Sequence, residues 1–259
     1  MPARRILCVI PARLGSERLP RKPLYPLAGR PLVEWVWRRV RGFGGLDRVV
    51  VATDSEDVVA ACRAMGAEVA LTSPDHTSGT ERAAEIAARS EFAGYDVVVN
   101  VQGDEPFVAE AQVMEAAGLV GRFEIGTVAS PVRTLEAWRD PAVVKVVRDA
   151  EGRALYFSRA PIPHPRGREP QPEELASAEF LRHIGIYAYT PAALARWAAL
   201  PPAPLERLER LEQLRPLAAG LTIGVGVVEE SEGGVDTPAD VGRAELRLRT
   251  LAAIPSENR

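Results

Sequence analysis

A cationic loop follows the first apolar run of the chain. Residues 6–10 are apolar, and the loop after them holds Arg13, Arg18 and Lys22. A buried strand that leads into several positive charges is suited to binding a polyphosphate. Lys22 and Lys145 are the only lysines among 32 basic residues. Because a lysine is kept in a loop of arginines, we favour the interpretation that its compact ammonium contacts phosphate oxygens over the interpretation that it is an incidental surface charge.

Two acidic residues far apart in the sequence predict a cation site. Asp104 follows Gly103 at the end of the apolar run 97–101, and Asp236 follows a pair of glycines. Magnesium needs only one or two carboxylates when phosphate oxygens supply other ligands. Asp104 is therefore a predicted Mg²⁺ ligand, and Asp236 is the second if the two converge. The alternative is that each is a turn or helix-capping acid.

The polar segment 72–82 lies between an apolar run and a helical stretch. It offers hydroxyl groups and backbone donors at a helix N-terminus, which suits a polar base or an anion. Ser78 and Glu81 also match a capping box, and both roles are compatible. Elsewhere, His183 and Glu212 are polar positions within apolar elements. A structural histidine and a solvated helix face are the simpler interpretations of these two.

These residues must be positioned by alternating strands and helices. Apolar, β-branched runs alternate with helical patterns, which predicts a largely parallel sheet covered on both faces. In such sheets, ligands bind beyond the carboxyl ends of the strands. The predicted strands are 6–11, 48–53, 68–72 and 96–102, and the predicted helices are 31–41, 56–65, 79–89 and 110–121.

The pattern changes after residue 125. Two runs flanking residues 149–152 predict a β-hairpin, and a proline-rich loop follows at 161–172. Leucines spaced over 205–215 predict one helix with an apolar face. Strands 183–189 and 222–228 and a helix at 238–251 complete the chain. The second half is expected to cap the first within one compact unit.

Composition excludes several classes of protein. The chain has 259 residues and a formal net charge of −3, which argues against a nucleic-acid-binding protein. No apolar run approaches the roughly 20 residues needed to span a membrane, so no membrane association is expected. Cys8 and Cys62 lie in predicted core elements, which suits a reducing cytoplasm. Neither a P-loop nor a Gly-x-Gly-x-x-Gly motif occurs.

Eight blocks in order carry a family resemblance. They include Pro-Ala-Arg-x-x-Ser-x-Arg-Leu-Pro-x-Lys-Pro-Leu, Asp-His-x-Ser-Gly-Thr-Glu-Arg, Asn-Val-Gln-Gly-Asp-Glu-Pro, Arg-His-x-Gly-Ile-Tyr and Gly-Val-Asp-Thr-Pro. Over residues 6–245 the chain resembles the 3-deoxy-manno-octulosonate (Kdo) cytidylyltransferases, or CMP-Kdo synthetases. The loop 161–178 departs from that pattern.

The resemblance implies an α/β, Rossmann-like three-layer nucleotidyltransferase fold with an inserted β-hairpin and strand region. It implies attack of the anomeric hydroxyl of Kdo on the α-phosphorus of CTP, with release of pyrophosphate. Arg18, Lys22, Asp104 and Asp236 would form the catalytic group, with Mg²⁺ on the two carboxylates. The implied nucleotide-binding residues are Arg13, Ser16, Arg18, Lys22, Asp75, His76, Ser78 and Gly79.

The resemblance also divides the chain by function. One domain, 1–259, would hold a nucleotide-binding half at 1–125, a sugar-acid-binding and dimerisation half at 126–235 and a closing helix at 236–259. Family members are usually homodimers. The positions implied around the sugar acid are Arg82, Gln102, Arg159, His183, Tyr187, Glu212 and Gln213.

Three alternative functions are less consistent with the sequence. The acylneuraminate cytidylyltransferases share the fold, but their block at 102–106 typically differs from Gln-Gly-Asp-Glu-Pro. A non-catalytic nucleotide sensor would not need both Asp104 and Asp236. A purely structural module would leave the Lys22 loop unexplained.

Overall fold

The computed structural model describes residues 4–15, 18–229 and 233–253. Its strands are β1 Ile6–Pro11, β2 Pro26–Leu27, β3 Arg30–Pro31, β4 Arg48–Thr53, β5 Val69–Leu71, β6 Val97–Asn100, β7 Ile125–Pro131, β8 Lys145–Arg148, β9 Ala154–Ser158, β10 Leu181–Tyr189 and β11 Ile223–Val227. Its α-helices are α1 Leu32–Val40, α2 Glu56–Ala64, α3 Gly79–Ala88, α4 Glu110–Leu119, α5 Leu135–Arg139, α6 Pro172–Leu175, α7 Pro191–Ala199, α8 Pro204–Glu209, α9 Leu214–Ala218 and α10 Pro238–Ala253. Short 3-10 helices span Lys22–Leu24 and Ser90–Phe92.

A central sheet carries the strands in the order β11-β7-β10-β6-β1-β4-β5. The pairs β6-β1, β1-β4, β4-β5 and β7-β11 are parallel, whereas β10 runs antiparallel to both β6 and β7. The β8-β9 hairpin joins the sheet through pairing of β8 with β10. This is the mostly parallel α/β sheet with an inserted hairpin that the sequence predicts.

Side chains of alternate residues divide the core into two layers. Along β1, Leu7 and Val9 pack on one face, while Cys8 and Ile10 pack on the other. Helices α3 and α7 contribute to the first layer, and helices α1, α2 and α4 contribute to the second. Because strands buried on both faces need apolar residues throughout, the continuous β-branched runs identified them correctly.

One predicted helix is wrong. The stretch 205–215 forms two short helices, α8 and α9, because Arg210 adopts the left-handed conformation with φ 52° and ends the first. Leu211 and Leu214 are buried, but Leu208 is 80% exposed, so the leucines do not form one apolar face. Strand β7, which lies between β11 and β10, was not predicted, because glycine, serine and proline interrupt its apolar pattern.

Within residues 4–15, 18–229 and 233–253, no helix is both long enough and apolar enough to cross a membrane.

Candidate active site

A cavity of about 950 Å³ opens beyond the carboxyl ends of β1 and β6. This is the sheet edge at which parallel α/β proteins bind ligands. Most of its wall comes from residues that the sequence singles out, although they lie far apart along the chain. The predicted site residues that line it are Arg13, Arg18, Lys22, Ser78, Gly79, Arg82, Gln102, Asp104, Glu212 and Asp236.

Lys22 joins the two predicted metal ligands. Its ammonium donates hydrogen bonds to a carboxylate oxygen of Asp104 and, at 2.6 Å, to Oδ1 of Asp236. Arg18 adds a second cation 3.2 Å from the same Asp236 oxygen. Burial opposes the charged ammonium, but the two carboxylates outweigh it and raise the pKa of Lys22. Asp104 and Asp236 therefore converge, which is the condition that the sequence set for a second metal ligand, and their binding of Mg²⁺ stays a prediction.

The donor set at this point suits a hard cation. Two carboxylates face one position, and their oxygens are the ligands Mg²⁺ prefers when phosphates and water supply the rest. In the part of the chain that the structure describes, no group of three or more His, Cys, Asp or Glu side chains forms a metal site.

Burial, together with Asp104 and Asp236, raises the pKa of neighbouring Glu105 to about 7.

Close packing of backbone fixes the floor of the cavity. A Cβ atom on Gly103 would lie 2.6 Å from the carbonyl oxygen of Pro11, a distance that real Cβ atoms essentially never show. Glycine is therefore required where the segment after β6 passes close to the end of β1. The hydroxyl of Thr53 donates to the carbonyl of Ala12 at 2.6 Å and holds the start of the cationic loop.

The segment 72–78 is fixed at the N-terminus of α3. Ser78 accepts a hydrogen bond from the backbone N–H of Glu81, as the capping prediction requires, and Glu81 accepts from the backbone N–H of Thr77. Arg13 reaches across to the carbonyl of Thr77 at 3.4 Å. The cationic loop and the N-terminus of α3 thus meet on one side of the cavity.

Arg82 supports this segment from below. It is 1% exposed, and its guanidinium forms an ion pair with Asp54 at 3.0 Å. It also donates to the hydroxyl of Thr72 at 2.6 Å and to the carbonyl of Ser73 at 3.2 Å. Most of its hydrogen-bonding capacity is thus directed to the protein. Its predicted contact with a sugar acid remains a prediction.

Two predicted nucleotide-binding residues lie outside the cavity wall. The His76 ring is 2.6 Å from a carboxylate oxygen of Glu85, and Asp75 is exposed beside Ser73. Ser16, another predicted nucleotide ligand, lies outside the described residues. Their roles stay predictions.

A second group of predicted residues surrounds Glu212 on the other side of the cavity. Burial raises the pKa of Glu212, and the Thr80 hydroxyl lies 3.3 Å from its Oε2. The Tyr187 ring is buried, and the His183 ring lies 5.3 Å from it between centroids. Gln213 is buried at the start of α9 and does not line the cavity. His183 and Tyr187 also lie behind the cavity wall rather than on it.

Arg159 is held next to this group by backbone carbonyls. Its guanidinium donates to the carbonyls of Glu209, Pro141 and Arg210, so it fixes the turn between α8 and α9. Lys145 in turn donates to the carbonyl of Arg159 at 2.8 Å and to two further carbonyls, and it is fully buried. Lys145 therefore joins β8 to the end of β9, whereas Lys22 joins segments that are distant in sequence.

Some residues of this network were not identified from the sequence. Asp54 is not one of them, because its place with Thr53 at the end of β4 already marks it in the sequence as part of the ligand edge. Glu209 accepts from the Ser158 hydroxyl at 2.6 Å and from the backbone N–H of Arg159 at 2.9 Å. Thr127 contacts His183 from β7. Only tertiary contacts give Glu209 and Thr127 their roles.

Comparison with known proteins places this site in a family. The family model described as cytidylyltransferase matches residues 7–223. A 3-deoxy-manno-octulosonate cytidylyltransferase of Gemmatimonas aurantiaca is 50% identical over 254 residues, covering 97% of each chain.

Solved structures show the same relationship. A CMP:2-keto-3-deoxy-manno-octonic acid synthetase complexed with CTP superposes with a TM-score of 0.86 at 36% identity, covering 95% of this chain and 99% of that one. A 4-diphosphocytidyl-2C-methyl-D-erythritol synthase from Anaerococcus prevotii has a TM-score of 0.59 at 13% identity over 95% of this chain and 99% of that one, which shows the fold alone. The chain belongs to the 3-deoxy-manno-octulosonate cytidylyltransferase family of cytidylyltransferases.

Proposed function

We propose that this enzyme transfers the cytidylyl group of CTP to the anomeric hydroxyl of Kdo. The products are CMP-Kdo, an activated sugar for lipopolysaccharide synthesis, and pyrophosphate. The observation that carries the proposal is the meeting of Lys22, Asp104 and Asp236 at the cavity. A relative 50% identical over nearly the whole chain bears the name of this activity.

The cationic side of the cavity is assigned to the triphosphate. Arg13, Arg18 and Lys22 all line it, and the N-terminus of α3 adds backbone N–H groups directed at the same space. Phosphoryl-type transfer needs charge neutralisation and in-line positioning more than covalent assistance. These cations therefore bind the triphosphate and stabilise the charge that develops on the leaving pyrophosphate.

We assign Asp104 and Asp236 as the residues that would hold Mg²⁺. When bound, Mg²⁺ would supply charge neutralisation and acidify a coordinated hydroxyl. Lys22 contacts both carboxylates, so its ammonium provides part of the positive charge that this acidic pair requires. It can then turn towards phosphate oxygens, since its flexible stem allows one charge to serve neighbouring acceptors.

The cytosine is assigned to the segment 72–79. Arg82 and Asp54 hold this segment rigidly, so its hydroxyl and backbone groups are preorganised to read the amino edge of the base. The preference for CTP over UTP follows, because uracil would leave buried polar groups unpaired. Asp75, His76 and Ser78 support the same segment.

The sugar acid is assigned to the side of the cavity near Glu212. Gln102 and Glu212 line the wall there. His183, Tyr187 and Gln213 do not line the cavity, and only the family resemblance implies a role for them at the sugar acid. Arg159 is the better partner for the carboxylate of the sugar acid. Within the part of the chain that the structure describes, its guanidinium donates to neutral carbonyls, whereas the charge of Arg82 is already compensated by Asp54.

Two broader proposals concern the assembly and its location. We infer a homodimer formed by the second half of the chain, where Leu155 and Leu208 expose apolar side chains at 57% and 80%. We also infer a cytoplasmic enzyme, since Cys8 and Cys62 are unpaired and buried and CTP is a cytoplasmic substrate.

A pyrophosphate-release assay over a grid of nucleotides and sugar acids tests the proposed function. We expect turnover with CTP, Kdo and Mg²⁺ together, weak turnover with UTP, and none when the sugar acid is omitted. Equal turnover with CTP and UTP would contradict the assignment of segment 72–79. Efficient turnover with a sugar 1-phosphate would contradict the assignment of the acceptor.

A further inference from the structure

The ammonium of Lys22 contacts both of the carboxylates that are assigned to Mg²⁺. It donates one hydrogen bond to Oδ2 of Asp104 and another, 2.6 Å long, to Oδ1 of Asp236. Arg18 lies 3.2 Å from the same Asp236 oxygen. Side chains of the cationic loop therefore already compensate the charges of the two carboxylates. A divalent cation held by both carboxylates has to compete with Lys22 for these oxygens.

The two carboxylates are held in place by contacts that do not involve Lys22. The backbone N–H of Val235 donates to the carbonyl of Asp104 at 2.9 Å. The backbone N–H of Asp236 donates to the carboxylate of Asp240 at 3.0 Å. These bonds fix the backbones of the two acids beside each other. We therefore expect the acidic pair to stay together when the ammonium moves away.

The backbone of Lys22 is fixed, whereas its side chain can rotate. Lys22 begins a short 3-10 helix, and its carbonyl accepts a hydrogen bond from the N–H of Tyr25 at 3.1 Å. The side chain lines the cavity together with Arg13 and Arg18. The flexible stem of a lysine lets its ammonium pass between neighbouring acceptors. A triphosphate bound among these cations therefore competes with the two carboxylates for the ammonium.

We propose that Lys22 is an internal counter-ion that keeps divalent cations off Asp104 and Asp236 until the triphosphate of CTP draws its ammonium away. The inference rests on the proposed function, which assigns the metal to the two carboxylates and the triphosphate to the cationic loop. It couples the two ligands, because the nucleotide removes an obstacle to the metal and the metal in turn favours the nucleotide. Ligation of the metal by phosphate would also couple them, but it does not predict that loss of Lys22 strengthens metal binding without nucleotide.

Binding of Mn²⁺ without nucleotide tests the inference in the absence of turnover. Mn²⁺ is used in place of Mg²⁺ because electron paramagnetic resonance measures its free concentration directly. Lys22→Met keeps an unbranched side chain of similar length and removes the charge, so we expect it to bind Mn²⁺ at least about tenfold more tightly than the wild type. Adding Asp236→Asn to that variant should abolish the gain. Equal Mn²⁺ affinities of Lys22→Met and the wild type would overturn the proposal.

A charge-matched control separates occupation of the carboxylates from a general change in charge. Arg18→Gln also removes one positive charge beside Asp236. The Arg18 side chain is 66% exposed, whereas that of Lys22 is 13% exposed and bridges the two carboxylates. Because exposed pairs are weak, we expect Arg18→Gln to tighten Mn²⁺ binding by less than about threefold. An equal gain in both variants would show that net charge governs metal binding, and the inference would fail.

NMR of the wild type gives a second test, which does not require a variant of the acidic pair to fold. Lys22 and Lys145 are the only lysines, so protein labelled with ¹³C-lysine gives two Cε signals, and replacing either lysine assigns them. We expect CTP with EDTA to shift the Lys22 signal, with buried Lys145 as the unchanged reference. Stoichiometric Mn²⁺ without nucleotide should broaden neither signal. Broadening of the Lys22 signal under that condition would contradict the proposal.

The outcomes separate this inference from the proposed function. If CTP is turned over in the pyrophosphate-release assay but leaves the Lys22 signal unshifted, the inference alone fails. If CTP neither binds nor is turned over, the proposed function fails with it. Tighter Mn²⁺ binding by Lys22→Met than by Arg18→Gln, together with a nucleotide-dependent shift of the Lys22 signal, is the result that the inference predicts.

Discussion

The ammonium of Lys22 lies 2.6 Å from Oδ1 of Asp236, although 214 residues separate the two in the chain. The C-terminal region is held against the first loop by a small apolar cluster that includes Leu19, Val235 and Leu248. The backbone N–H of Val235 also donates to the carbonyl of Asp104 at 2.9 Å. Packing of α10 therefore completes the site by bringing the second carboxylate to the first.

We predict that Asp104→Asn and Asp236→Asn each lower turnover by about 100-fold or more, because each removes a charge on which the cations of the site depend. Steady-state kinetics with CTP and Kdo measure the loss, and circular dichroism shows whether the fold is kept. Asp57→Asn is the matched control, since Asp57 is an exposed carboxylate paired with Arg21 outside the cavity. Wild-type turnover in either site variant would reject the two-carboxylate site.

Lys22→Arg should lower turnover strongly even though it keeps the positive charge. The Lys22 side chain is 13% exposed and bridges two carboxylates, a position that a larger planar guanidinium does not fit. Arg21→Ala should be near wild type, because Arg21 is exposed and pairs with Asp57 outside the cavity. Comparing kcat for the two variants tests this point. A greater loss in Arg21→Ala would mean that the geometry of the loop is different.

Arg82→Met should destabilise the fold and weaken nucleotide binding together. The substitution leaves the Asp54 carboxylate without its partner and releases Thr72, and breaking such a buried pair costs about 3 kcal/mol or more. Urea denaturation and the KM for CTP measure the two effects. Arg196→Ala removes an exposed ion pair with Glu124 and should change stability by less than about 1 kcal/mol. Equal stability of the two variants would show that Arg82 is not a structural support.

Acid should destabilise the protein partly through His183. Its pKa is about 3 in the folded protein against an ordinary value of 6.5, so the unfolded chain binds the proton first. The stability that the neutral ring contributes is fully present above pH 6.5 and is lost as the pH falls towards 3. His183→Gln should therefore lose less stability than the wild type between about pH 7 and pH 5.

Urea midpoints at the two pH values test that expectation. His164→Gln is the control, because His164 is an exposed histidine. It should follow the wild-type pH dependence. If His183→Gln follows it as well, the ring of His183 titrates in the folded protein as it does in the unfolded chain.

Local sequence patterns predicted most of the sheet, because each of these strands is marked by its own run of apolar residues. The β-branched runs of β1, β4 and β6 allow only strands buried on both faces, and the polar residues after them mark the ligand edge. The separation of α8 from α9 could not be predicted. It depends on Arg210 adopting a left-handed conformation that arginine rarely takes, stabilised by contact of its carbonyl with Arg159.

Residue type predicted which groups could bind a nucleotide, but not how they are held. Asp104 and Asp236 were paired by chemistry alone, and in the structure both contact the ammonium of Lys22. The inward orientation of Arg82 depends on Asp54 and Thr72, whose proximity is a tertiary property. The three carbonyls around Lys145 carry no signal in the sequence at all, because every residue has one.

The most direct test of the central claim is ³¹P NMR of the purified protein with CTP, Kdo and Mg²⁺. The account predicts that the CTP signals give way to equal amounts of pyrophosphate and one new phosphodiester, and that mass spectrometry identifies the latter as CMP-Kdo. Neither product should form without Kdo. Pyrophosphate without the phosphodiester would indicate a hydrolase, and efficient formation of CMP-N-acetylneuraminate in place of CMP-Kdo would contradict the substrate assignment.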